Sequence, residues 1–169
     1  MSGELTFMMG QFAATFPTDR LYARNHMWGQ IREGEAPAES SRQGSAGASP
    51  SQSIRFGFTA YAVRLLQDVY FLDWSHDAGA MVREKQQIGS IESKKAESDL
   101  FSPLAGTITA YNKELLADPS AINVDKYGQG WLFEMDAAAE GLMSVEQYLD
   151  HLASVWEVTQ RTIKGQLNE

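Results

Sequence analysis

Glu92-Ser93-Lys94-Lys95-Ala96 is the stretch on which the reading of this chain turns. It sets a lysine pair at a turn signal, and Ser102-Pro103-Leu104-Ala105-Gly106 then opens another strand. Two lysines flanked by Glu and Ser also suit a merely solvated turn, so the flanking residues carry the argument. Gln86-Gln87-Ile88-Gly89-Ser90-Ile91-Glu92 enters with apolar residues at Ile88 and Ile91, and Thr107-Ile108-Thr109-Ala110-Tyr111 leaves rich in β-branched side chains. The expectation is a hairpin whose tip carries Lys95 and holds up a primary amine to which a cofactor can be attached.

Upstream, Val69-Tyr70-Phe71-Leu72-Asp73-Trp74 reads as a strand, followed by a polar turn through Gly79. Thr59 to Leu66 has a helical pattern, with Tyr61, Ala62, Leu65 and Leu66 able to share a face. His26-Met27-Trp28-Gly29-Gln30-Ile31-Arg32 alternates as a first strand. Residues 33–53 are almost entirely Gly, Ala, Ser, Pro, Glu and Gln, with nothing large to bury; ordering them costs entropy without return, so a flexible insertion is expected. Downstream, Ser144-Val145-Glu146-Gln147 is a capping box, and Tyr148, Leu149, Leu152, Val155 and Trp156 follow at helical spacing. The organisation expected is an N-terminal extension over 1–24 that packs loosely, one domain over 25–143 carrying the 33–53 insertion, and a C-terminal amphipathic helix within 144–169.

A chain of 169 residues with 43% apolar and 11% aromatic content can bury one real core. It has no cysteine, which excludes disulfides, thiolate nucleophiles and Cys-ligated zinc, so any sulfur redox chemistry has to arrive on a cofactor. With 14 basic against 22 acidic residues the net charge is -8, which disfavours nucleic acid as a partner. No apolar run is long enough to span a bilayer, and Met1-Ser2-Gly3-Glu4 lacks the basic region of a secretory signal. A cytoplasmic protein without membrane contact is the expectation. His26, His76 and His151 show no metal-ligand spacing, and Gly128-Gln129-Gly130 lacks a third glycine and runs into Trp131, so it reads as a tight turn. No enzyme active site is visible, and no catalytic or metal-binding residue is assigned.

The Glu92-Ser93-x-Lys95-Ala96 turn, the Ser102-Pro103-x-x-Gly106 segment and Asn112 together resemble the glycine cleavage system H protein family. The resemblance continues upstream in Gly57-Phe58-Thr59-Ala60-Tyr61-Ala62 and Asp68, and downstream in Pro119, Asn123, Tyr127-Gly128 and Gly130-Trp131, covering about His26 to Tyr148. It implies a mainly β, lipoyl-domain-like barrel-sandwich hybrid with a short internal helix and a C-terminal helix. It implies covalently bound lipoate on Lys95 rather than Lys94, which stands where the family usually has an apolar residue. Glu92 and Gly79 match positions to which the lipoyl ligase or transferase of the family is sensitive. The implied function is non-catalytic: an aminomethyl carrier serving glycine decarboxylase, aminomethyltransferase and dihydrolipoyl dehydrogenase.

The chain also departs from the family: Met27 replaces a Glu, Gln67 a Gly, Trp74-Ser75 a Leu-Pro pair, and the insertion and both extensions are additional. These departures leave two further readings open. One is a lipoate-binding carrier for a heterodisulfide-reductase-like sulfur oxidation complex; the other is an H-like interaction scaffold that carries no lipoate.

Overall fold

The computed structural model describes residues 3–32 and 51–167, with side chains described as far as Val158. Among the described residues, eleven strands build sheets of six, three and two strands. The six-stranded sheet has the order β3 (Leu21–Tyr22), β4 (Met27–Ile31), β5 (Gln52–Phe58), β11 (Phe133–Ala137), β10 (Gly106–Tyr111), β7 (Met81–Val82). Facing it is a sheet of β6 (Val69–Trp74), β8 (Gln87–Ser93) and β9 (Glu97–Phe101). Alternation explains the layering: in β8, Gly89, Ile91 and Ser93 are buried, with Ile88 brought inward at the register shift beside Gly89, and in β11, Phe133, Met135 and Ala137 are buried while Asp136 faces out. These rows meet Ile54, Phe56, Leu72, Leu100 and Ile108 in the main core.

Helix α1 (Ala60–Leu66) begins where Thr59 Oγ1 accepts from the Ala62 amide at 3.3 Å. Its buried residues are Ala60, Tyr61 and Ala62; Leu65, expected on the same face, is exposed. Short helices α2 (Glu114–Ala117) and α3 (Ser120–Val124) pack on β6. Asn123 fastens the start of β6, donating to the Val69 carbonyl at 3.0 Å and accepting from its amide at 2.9 Å. Asn112 is equally structural, for its side-chain amide donates to the carbonyls of Gln129 and Trp131 and closes the chain before β11. The capping box forms as expected: Gln147 Oε1 accepts from the Ser144 amide and Ser144 Oγ from the Gln147 amide. It opens α4 (Val145–Leu167).

Two expectations change. The N-terminal extension is not loosely laid: β1 (Glu4–Met9) and β2 (Phe12–Pro17) pair as a hairpin, and β3 joins the six-stranded sheet. Phe16 is fully buried and packs edge-on to Tyr22 and Tyr148, so the hairpin, Trp28, Tyr61 and α4 share a second aromatic core. Within the expected 33–53 insertion, Gln52 and Ser53 already belong to β5, paired with Ala137 and Asp136, because β11 offers them backbone partners; residues 33–50 lie outside the described residues.

The second core also brings together two histidines far apart in sequence. The rings of His26 and His151 lie 5.8 Å apart, His26 Nδ1 is 2.9 Å from Tyr148 Oη, and Tyr61 lies 4.7 Å away. Burial, followed by the neighbouring His151, pushes the His26 imidazole down to about 4 from its ordinary 6.5. The unfolded chain then binds more protons than the folded one between those two values. The contribution is present above pH ~6.5 and is lost as pH falls toward ~4, by up to about 3 kcal/mol. Urea midpoints measured near pH ~7 and pH ~4.5 should show this loss. His26→Asn should flatten it, since Asn tolerates the left-handed backbone at His26 (φ 70°).

Candidate functional site

Lys95 is the middle residue of the three-residue connection between β8 and β9, and both Lys94 and Lys95 are exposed. Ser93 makes the turn. Its amide and its hydroxyl both donate to the Ala96 carbonyl, at 2.9 and 3.1 Å, and Oγ accepts from the amides of Lys95 and Ala96, each at 3.3 Å. A buried serine hydroxyl thus replaces the backbone partners that a tight reversal leaves unpaired.

The tip is also tied to the body. The Lys94 amide donates to the carbonyls of Gln67, at 3.0 Å, and Asp68, at 3.2 Å, in the connection from α1 to β6. Both of those residues have positive φ, 53° and 46°. This conformation explains why glycine suits the position that Gln67 occupies; with Gln there, the chain holds a side chain in a backbone region it rarely adopts. Lys94 is therefore anchored through its backbone, and Lys95, the next residue, lies in the free part of the turn.

Glu92 is half-buried directly opposite Phe71 on one side and Glu97 on the other. The structure thus brings Glu92 to within one rung of the tip. Gly79 lies elsewhere: register puts Ser93 against Val69 and Gly89 against Trp74, and Gly79 follows Trp74 in the β6–β7 connection. Its φ of 99° and the bond from its amide to the Ile108 carbonyl at 2.7 Å make it a turn glycine at the other end of β6. The roles of Ser93 and of the Gln67-Asp68 carbonyls had only one local signal in the sequence, a serine directly before the lysine pair.

Beside the same sheet, α1 and the start of β4 frame an apolar groove of about 190 Å³, lined by Met27, Phe58, Leu66, Ile91 and Leu100 among others. Met27 is buried and contributes a thioether where the resembled family has a carboxylate. Among the described residues no group of three His, Cys, Asp or Glu could hold a metal ion, and no helix is long and apolar enough to cross a membrane.

Comparison with known proteins places this geometry in a family. The family model described as Glycine cleavage H-protein matches residues 48–155. The chain is 35% identical over 140 residues to the glycine cleavage system H protein of Rubrobacter xylanophilus, an alignment covering 82% of this chain and 96% of that protein. It is 32% identical over 136 residues to the counterpart from Neisseria gonorrhoeae, covering 78% of this chain and 89% of that one. A crystal structure of a glycine cleavage system H protein from Mycobacterium marinum superposes with a TM-score of 0.65 at 32% identity, over 82% of this chain and 99% of that one. Nothing in these matches supports the sulfur-oxidation carrier or the lipoate-free scaffold. A family match spanning more than half of the chain, together with relatives aligned over nearly their whole length, shows that the chain belongs to the glycine cleavage H-protein family.

Proposed function

We propose that this chain is a lipoyl-carrying H protein, with lipoate held as an amide on Lys95 Nζ. The observation that carries the proposal is the pinned, exposed turn: Ser93 fixes its shape, the carbonyls of Gln67 and Asp68 hold Lys94, and Lys95 stands in solvent. These residues fit an acylation site, because a modifying enzyme needs a rigid segment to grip and an amine it can reach. An alkylammonium nitrogen has no lone pair to donate, so the enzyme has to take a proton before the nitrogen can attack an activated acyl carbon. Bound lipoate supplies a dithiolane that is reduced and reoxidised and can bear an aminomethyl group.

In this reading the chain is a non-catalytic cytoplasmic carrier that serves glycine decarboxylase, aminomethyltransferase and dihydrolipoyl dehydrogenase in turn. The rigid β8–β9 hairpin keeps the attachment point fixed relative to the docking surfaces, so that delivery becomes a local event at high effective concentration. The apolar groove beside the hairpin offers a hydrocarbon wall on the same sheet.

Intact mass after co-expression with lipoate and a lipoate ligase tests the first half: one lipoyl increment is expected. Exposure of that product to glycine and an active glycine decarboxylase tests the second, with an aminomethyl increment expected. A lipoylated protein that acquires no aminomethyl group, while the decarboxylase is active on another H protein, would refute the glycine route.

A further inference from the structure

The solvent face of the three-stranded sheet carries an unusual concentration of one charge. Register aligns Phe71, Glu92 and Glu97 on one rung and Asp73, Ser90 and Asp99 on a second. Between them lies the rung of Leu72 and Ile91, both buried, so the two rungs point outward together. Four carboxylates therefore share a face with no basic residue on either rung, and among the described residues none of the four forms an ion pair. Glu92 and Glu97 stand directly opposite each other, an arrangement that weakens a sheet. The remaining large side chain is Phe71, 46% exposed. The first rung adjoins the turn that carries Lys95.

We infer that this face is the docking surface for the enzyme that acylates Lys95, and that it fits a basic surface with an apolar recess for Phe71. The inference rests on the attachment of lipoate proposed above. Reach selects this partner over the later ones. The acylating enzyme has to bring its activated carbonyl to Nζ itself, four methylenes from the backbone, so its flank has to cover the adjoining rung. An enzyme served by the finished arm can stand off by the length of that arm. Charge selects the chemistry, because four unneutralised carboxylates attract a cationic surface and repel an anionic one. Phe71 flanks the carboxylates from the edge strand β6, and a half-exposed aromatic beside such a patch is the kind of anchor that contributes strongly to binding.

The test is the rate of lipoate attachment to the full-length apo-protein by a lipoate ligase with ATP, followed by intact mass at low and high salt. The Glu97→Gln/Asp99→Asn double variant and Phe71→Ser are each expected to lower kcat/KM about tenfold, chiefly through KM. The double variant should also flatten the salt dependence. Asp136→Asn, on the outer side of β11, should match wild type. Removing two like charges should leave the melting temperature of the double variant unchanged or higher, so a slower rate would not reflect unfolding. Wild-type rates for both face variants at both salts would overturn the docking surface while leaving lipoylation intact, as would normal attachment with slowing only in exchange with the decarboxylase. A wild-type chain that gains no lipoyl mass would overturn both.

Discussion

Lys95→Ala is expected to fold as wild type and to gain no lipoyl mass under conditions that fully modify the parent, whereas Lys94→Ala should still be modified. The asymmetry follows from what each residue contributes to the turn. Lys94 holds the tip through its main-chain amide, which donates to the carbonyls of Gln67 and Asp68, and alanine keeps that donor. Lys95 has an exposed side chain, and its main-chain N–H donates a hydrogen bond to Ser93 Oγ at 3.3 Å that any non-proline residue preserves. Each substitution should therefore change stability by no more than about 0.5 kcal/mol. Lys95→Arg sharpens the test: it retains the positive charge but offers a guanidinium that stays protonated and cannot act as the acyl acceptor, so it too should remain unmodified. Intact mass and peptide mapping after co-expression with ligase and lipoate decide the matter. An increment that persists in Lys95→Ala and disappears in Lys94→Ala would move the attachment site one residue back and remove the main support for the proposed geometry.

What could be read from the sequence was what local chemistry determines. The Ser144–Gln147 capping box and the Ser93 turn at Lys95 appear where their residue types demand, because each is closed by partners two or three positions away, and the strand from Val69 to Trp74 shows in its own run of β-forming side chains. The N-terminal hairpin was opaque for the opposite reason. Phe7, Phe12 and Phe16 look scattered until Tyr61, Tyr148 and Arg64 arrive from distant parts of the chain to pack against them. Leu65 misled through period, since α1 is two turns long and buries its first three residues rather than a full stripe. Gly79 fits the family pattern in sequence, yet strand register carries it to the end of β6 away from the lysine turn. The acidic outer face was illegible for the same cause: a register irregularity between Val69 and Phe71 decides that Phe71 stands opposite Glu92, and alternation alone does not locate such an irregularity.

The second large effect is expected at Gly106→Ala, which should lower unfolding stability by about 3 kcal/mol. Gly106 does not have a positive φ, so the requirement for glycine there is one of space. It starts β10 and pairs with Ala137 of β11 on one side and Val82 of β7 on the other. A Cβ built on it would run into the Asp136 carbonyl oxygen and lie 3.0 Å from the Ala137 Cβ. The carbonyl belongs to a strand held on its other side by β5, through the pairing of Asp136 with Ser53 and Ala137 with Gln52, so it has little freedom to retreat. Relief would require β10 to part from β11 at the point where the Ser102-Pro103-Leu104-Ala105 segment feeds into the sheet. That segment is itself fixed by the Ser102 hydroxyl donating to the Leu104 carbonyl at 2.7 Å. Urea denaturation should show the midpoint of Gly106→Ala well below that of Thr109→Ala, an exposed position on the same strand expected to stay within about 0.5 kcal/mol of wild type. Equal midpoints for the two variants would mean that β10 and β11 are not packed as closely as this geometry requires, and that the glycine of the Ser-Pro-x-x-Gly segment has no steric role in closing the sheet.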